Sequence, residues 1–240
     1  MSESATQLHP EPQGTDIAAK LNWLRAGVLG ANDGIVSVAA VVVGVAGVTG
    51  DTGPILAAGL AAVVGGAISM ALGEYVSVSS QSDSQRDLIA KETRELREQP
   101  TEEFDELVGL YRHKGLSEET ARTVAKELTE KDALRAHLDI ELGINPDEIV
   151  SAWHAAFASA VSFLIGSILP MLTILLAPAS VRVPLTFVAV LIALAITGWV
   201  GAWIGGGSRV KASTRVVVGG ALALAATFGL GTLLGTTGIA

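Results

Sequence analysis

With 240 residues, 50% of them hydrophobic, and a mean hydropathy of +0.49, the chain is too apolar for an ordinary soluble domain and suits a lipid environment. Its formal net charge of −8 excludes a basic nucleic-acid footprint, so no nucleic-acid partner is expected. The lack of cysteine excludes disulfides and thiolate sites, so a metal must be held by carboxylate, imidazole, thioether or carbonyl groups, donors that favour Mn²⁺ or Fe²⁺ over copper or a structural zinc.

Residues 1–20 are polar, carry Pro10 and Pro12, and have no base before Lys20. This is not the basic start of a secretory signal, and the reading is a disordered cytosolic tail. Five stretches then meet the requirement of roughly 20 mostly apolar residues for a membrane-crossing helix. They cover about 24–48, 54–80, 151–177, 183–207 and 214–237. None has the polar stripe that a soluble bundle would need. Gly50-Asp51-Thr52-Gly53-Pro54 punctuates the first pair, Pro178 and Pro184 bracket the third connection, and Gly205-Gly206-Gly207 ends the fourth span.

Between the second and third spans lies a polar insert. Residues 81–148 hold 18 of the 24 acidic residues and 10 of the 16 basic ones, which accounts for the entire net charge. The insert reads as three helices. The first, about 84–98, continues from the second span; the second starts after Pro100 with Thr101 as N-cap; the third starts at Ser117 with Glu118 and Glu119 in its first turn. In the third, Ala121, Val124, Ala125, Leu128, Leu134, Leu138 and Leu142 recur at helical spacing before Gly143. The expected domains are therefore the tail 1–20, spans one and two in 21–81, the insert in 82–147, and spans three to five in 148–240.

If the spans alternate, Lys20, Arg25, the insert bases, Arg209, Lys211 and Arg215 share one side, and only Arg182 lies opposite. The positive-inside rule puts the N-terminus and insert in the cytosol and Ala240 outside. Trp23, Trp153, Trp199 and Trp203 fall near the cytosolic ends of their spans and read as interfacial anchors.

Apart from Arg25 and Arg215 at the ends of their spans, only Asp33 and Glu74 are formally charged within the spans. An ionised side chain near the bilayer centre costs at least ~2.5–3.5 kcal/mol, so such groups face a cavity or a partner. No Lys or Arg lies in the interior of a span to pair with them, which points to a metal or a proton that comes and goes. The bland alternative is a protonated carboxyl hydrogen-bonded between helices. Met70, one turn before Glu74, and Ser77 and Gln81 after it continue one helical face. Gly30, Gly34, Gly65, Gly66, Ser69 and Gly73 flank the carboxylates and permit close helix approach.

A charge run is usually a solvated face, but some insert acids do not fit that reading. Glu92 shares a face with Leu88 and Leu96, and Glu95 follows at i+3. Glu103 and Glu106 repeat the pair beside Leu107 and Leu110, while His137 and Glu141 at i, i+4 adjoin Leu134, Leu138 and Leu142. Carboxylate pairs with one imidazole on a small helical bundle have the general design of iron and manganese carboxylate sites. The competing explanation is that Glu102 and Glu103 merely complement a helix dipole.

The run Leu24-Arg25-Ala26-Gly27-Val28-Leu29-Gly30-Ala31-Asn32-Asp33-Gly34, the run Ser69-Met70-Ala71-Leu72-Gly73-Glu74-Tyr75-Val76-Ser77, and Glu141-Leu142-Gly143 resemble the vacuolar iron transporter family over about residues 20–238. The resemblance implies a homodimer of five-span subunits with the ion path at the dimer interface. It implies export of Fe²⁺ or Mn²⁺ from the cytosol in exchange for protons, and a cytosolic metal-binding insert. Its membrane site corresponds to Asp33, Met70 and Glu74, and its insert ligands to Glu92, Glu95, Glu103, Glu106 and Glu141. His137 departs from the plant pattern, which has Met, and this opens the preference among Mn²⁺, Fe²⁺ and Zn²⁺, with Co²⁺ a further candidate ion. No prosthetic group is expected.

The resulting expectation is an all-α polytopic membrane protein, a dimeric antiporter and not an enzyme, with five spans and a cytosolic three-helix metal-binding insert. The short chain and plain tail suit a prokaryotic plasma membrane, or a vacuolar membrane in a eukaryote. Two other classes stay open: a proton-coupled carrier of small organic cations, and a membrane-anchored scaffold whose acidic helices recruit a basic partner.

Overall fold

Long uninterrupted runs of Ala, Leu, Val and Gly, broken only at Gly/Pro/Asp clusters, dictate a chain of long helices with short links. The computed structural model describes residues 14–146 and 150–237, with side chains described from Ala26 onward in the first helix. The helices are α1 Gly14–Val48, α2 Thr52–Glu98, α3 Pro100–His113, α4 Glu118–His137, α5 Ala152–Leu176, α6 Arg182–Ile204 and α7 Arg209–Thr237; a π-helical turn, Leu138–Leu142, follows α4. Five helices are long and apolar enough to cross a membrane: Ala26–Val48 within α1, then α2, α5, α6 and α7. These correspond to the five stretches expected from the sequence.

The first helix starts at Gly14, so residues 14–20 of the segment read as a tail belong to α1. Polar composition does not break a helix, and Ala18, Ala19, Lys20 and Leu21 are strong helix formers. Residues 1–13, the side chains of Lys20, Trp23 and Arg25, and Ala240 lie outside what is described.

The chain forms two compact units, Met1–Tyr75 with Ala152–Ala240, and Val76–Ser151. In the first, α1 packs against α5, α6 and α7. Apolar burial gives little net drive between helices in lipid, so close van der Waals fit must hold them. The glycines provide it. A Cβ at Gly34 would collide with the Phe163 carbonyl, one at Gly166 with the Ala31 carbonyl, and one at Gly231 with the Gly44 carbonyl. Ile35, Val38, Val42 and Val43 of α1 form the core with Phe163, Ile174, Val190, Leu194 and Leu224. In this unit α2 buries Ile55 and Ala67 but leaves Leu56, Leu60, Val64, Ile68 and Leu72 exposed at spacing four. Ala57, Ala61, Gly65, Ser69 and Gly73 are exposed beside them.

In the second unit, α3 and α4 enclose Leu107, Val108, Ala121, Ala125 and Ala136. Ser117 caps α4 as expected, its hydroxyl accepting from Thr120 N–H at 3.3 Å. Thr101 does not cap α3. Gln99 holds that place without a side-chain cap, and Pro100 takes the first helical position, where its fixed φ is preorganised and no N–H is needed. The third insert helix is not continuous either. Asp132 is non-helical (φ −167°, ψ 93°), and its carboxylate accepts from Arg135 N–H at 3.0 Å, restarting the helix as an N-cap would. After this kink, Ala136, His137 and Leu138 are buried in succession before Gly143 ends the turn at φ 61°.

Candidate metal site

The second unit's distal α2, α3, α4 and π turn each direct a polar side chain to one place. Glu92 of α2 is 3% exposed, Glu103 of α3 7%, and His137 of α4 1%. His137 Nδ1 lies 3.0 Å from Glu92 Oε1, 3.7 Å from Glu103 Oε2 and 3.7 Å from Glu141 Oε2. One donor atom from each of Glu92, His137 and Glu141 fits within a mutual 4.8 Å, the spread a single cation requires. Glu92 Oε1 and His137 Nδ1 are buried and have no hydrogen-bond partner despite their proximity, so the pair is misaligned for sharing a proton.

The electrostatics agree with this geometry. Burial pushes the Glu92 carboxyl up to about 7, reinforced by the negative charges of Glu141, Glu103, Glu95 and Glu106. Burial also raises Glu103, with Glu106 adding to it and His137 opposing. Two buried carboxylates beside one buried imidazole, with the exposed Glu141 at their edge, favour added positive charge, whether protons or a metal.

Of the six insert ligands expected, the structure brings together Glu92, Glu103, His137 and Glu141. Glu95 is held by Lys91 at 2.9 Å, and Glu106 is exposed. Both act on Glu92 through charge. In the other unit Asp33 is half-buried on α1 and accepts a 2.6 Å hydrogen bond from Ser37 Oγ. That partner was missed, although i, i+4 spacing could have flagged it. Beside it, Thr197 Oγ1 of α6 donates to Asn32 Oδ1. Met70 packs on the apolar core, and Glu74 is half-buried. Among the described residues, the one group of three or more His, Asp or Glu donors close enough to share an ion is that of Glu92, His137 and Glu141.

Five apolar helices long enough to cross a bilayer define a polytopic membrane protein. A profile for the VIT family matches residues 24–232. A vacuolar iron transporter of Acanthamoeba castellanii is 42% identical over 224 residues, covering 90% of this chain and 80% of that protein. Vacuolar iron transporter homolog 2 of Arabidopsis thaliana is 34% identical over 241 residues, covering 99% and 98%. Vacuolar iron transporter homolog 1 of Oryza sativa is 34% identical over 227 residues, covering 94% and 80%. The chain belongs to the VIT family and is a membrane transporter, not an enzyme.

Proposed function

We propose that this protein exports Fe²⁺ and/or Mn²⁺ from the cytosol by exchange with protons, and that Glu92, Glu103, His137 and Glu141 capture the metal before it enters the membrane. The observation that carries this reading is the pair of unbonded buried atoms, Glu92 Oε1 and His137 Nδ1, with two further carboxylates at 3.7 Å. A set of hard oxygen donors with one imidazole and no thiolate suits Mn²⁺ and Fe²⁺. The transporter names of the relatives support iron as cargo.

Asp33 and Glu74 are the membrane carriers in this reading, with Met70 as a softer neighbour. A carboxylate that is costly when ionised and empty binds metal and proton in turn, which supplies the coupling. The exposed stripe of α2, large residues beside Ala57, Ala61, Gly65, Ser69 and Gly73, supports a homodimer in which a second α2 covers it. The basic residues gathered on one side support a cytosolic N-terminus and insert.

The test is metal uptake into proteoliposomes with an imposed pH gradient, following metal and lumenal pH together. Proton-coupled Fe²⁺ or Mn²⁺ flux supports the reading. Organic-cation flux without metal flux would transfer the site to a different carrier class, and no flux of either would leave the scaffold.

A further inference from the structure

Residues 151–240 contain no Asp or Glu, yet Arg209, Lys211 and Arg215 follow one another at and after the α6–α7 turn. All three are exposed, and none forms an ion pair among the described residues. Trp199 and Trp203, one helical turn apart at the end of α6, stack with centroids 6.2 Å apart and an interplanar angle of 24°. The Arg209 guanidinium lies 5.0 Å from the Trp199 ring centroid, so the stack holds one cation in place. Around this group Ile196, Trp203, Ile204 and Val210 are exposed. These apolar side chains lie on helices long enough to cross a membrane, so the cations stand where hydrocarbon gives way to headgroups.

We infer that the α6–α7 turn is a docking surface for an anionic phospholipid headgroup held by Arg209, with the Trp199–Trp203 stack seated against its glycerol and upper acyl region and Lys211 and Arg215 adding positive charge along the start of α7. Charge complementarity selects the occupant. Three cations with no ion-pair partner among the described residues repel a divalent cation, and a zwitterionic headgroup offers no net charge to answer them. Amphipathic indole rings settle at this depth of a bilayer, and the planar guanidinium suits phosphate oxygens. The surface goes beyond the metal-transport reading and depends only on the helices crossing a membrane, so either can fail without the other.

The test is native mass spectrometry of the full-length protein in detergent, titrated in parallel with phosphatidylglycerol, phosphatidylcholine and inorganic phosphate. Wild type should retain phosphatidylglycerol preferentially. Each base changed to Gln should weaken retention roughly fivefold, as about 1 kcal/mol per basic residue near the headgroups requires. Arg209→Lys keeps the charge but loses the planar stack and should fall between wild type and Arg209→Gln. A control changing Lys114, Lys126 and Lys131 to Gln removes the same net charge from the other unit and should leave retention unchanged. The matching variant changes Arg209, Lys211 and Arg215 together to Gln; should it fail to fold, the single variants carry the comparison. Equal retention of the two lipids, undiminished retention in folded turn variants, competition by inorganic phosphate alone, or an equal response to the lysine control would each overturn the assignment. So would displacement of the lipid by polyglutamate at equal charge, which would mark an acidic-protein surface instead.

Discussion

The Nδ1 atom of His137 and the Oε1 atom of Glu92 face each other at 3.0 Å, both buried and neither hydrogen-bonded. A buried polar atom left unsatisfied costs roughly 1–3 kcal/mol, so this arrangement is stabilised by anything that bonds to both atoms at once. A divalent cation does so, with Glu103 and Glu141 close enough to adjust toward it. Glu92→Gln or His137→Gln in the full-length protein should weaken Mn²⁺ binding at least about tenfold, while Glu106→Gln, at an exposed position, should change it about twofold or less. Calorimetric titration of detergent-solubilised protein checks this. Equal losses at Glu92 and Glu106 would show a diffuse acidic surface rather than a site.

The elevated Glu92 carboxyl gives the metal-free protein a pH signature. Its folded value of about 7 lies above the ordinary 4.5, so between those limits the folded state binds more protons than the unfolded one. The stability contributed by that extra proton is complete below 4.5 and is lost as pH rises through 7. Metal-free protein should therefore melt at a lower temperature at pH 8 than at pH 5.5. Saturating Mn²⁺ should reverse that order, because metal competes with protons and binds the ionised carboxylates. Glu92→Gln should flatten the metal-free pH dependence. A melting temperature that rises with pH in the metal-free wild type would contradict the assignment of a buried proton to this group.

The spans were legible because a bilayer imposes a simple rule on composition, and clusters such as Gly50-Asp51-Thr52-Gly53-Pro54 mark their ends to within a few residues, α2 starting at Thr52. The cluster was only partly legible. Glu103 and Glu106 both flank Leu107 in sequence, yet Glu103 is buried and Glu106 exposed. Leu88, used to place Glu92 on a buried face, is itself 39% exposed. Helical periodicity says which residues share a face but not where a kink turns that face. The step from Leu128 to Leu134 skips a turn of the pattern, and there Asp132 breaks the helix and brings His137 inward. Arg182 served in the sequence only as the exception to charge asymmetry. It proves to be 8% exposed, with two guanidinium nitrogens lacking hydrogen-bond partners, and no periodicity argument could have located it.

Two glycines offer a contrast between subunit fold and assembly. Gly34 has no room for a Cβ against the Phe163 carbonyl, whereas Gly65 on the exposed stripe of α2 has nothing within 4 Å of one. Gly34→Ala should force α1 away from α5 and destabilise the subunit by about 1–3 kcal/mol. Gly65→Leu should leave the subunit folded but weaken self-association if a second α2 packs there. Thermal unfolding in detergent and size-exclusion chromatography with light scattering separate the two effects. A Gly65→Leu protein as dimeric as wild type would remove this stripe from the interface.

Transport depends on Asp33 in the proposed mechanism, and its partner refines the test. Ser37 Oγ donates to Asp33 Oδ1 at 2.6 Å, which orients the carboxylate. Asp33→Asn keeps the shape and one oxygen but cannot hold the charge. It should insert and assemble normally yet lose proton-driven Fe²⁺ and Mn²⁺ flux, as should Glu74→Gln. Met70 packs on the apolar core, so Met70→Leu preserves that packing while removing the thioether. It should shift metal preference or lower the rate rather than abolish transport. Ser37→Ala should give an intermediate rate, because it removes one hydrogen bond and leaves the carboxylate in place. Rates are compared in proteoliposomes with the amount of reconstituted protein measured for each variant. Wild-type flux in both carboxamide variants would dismiss Asp33 and Glu74 as carriers. Loss of flux in Ser37→Ala equal to that in Asp33→Asn would mean that the serine, and not only the carboxylate it supports, takes part in holding the ion.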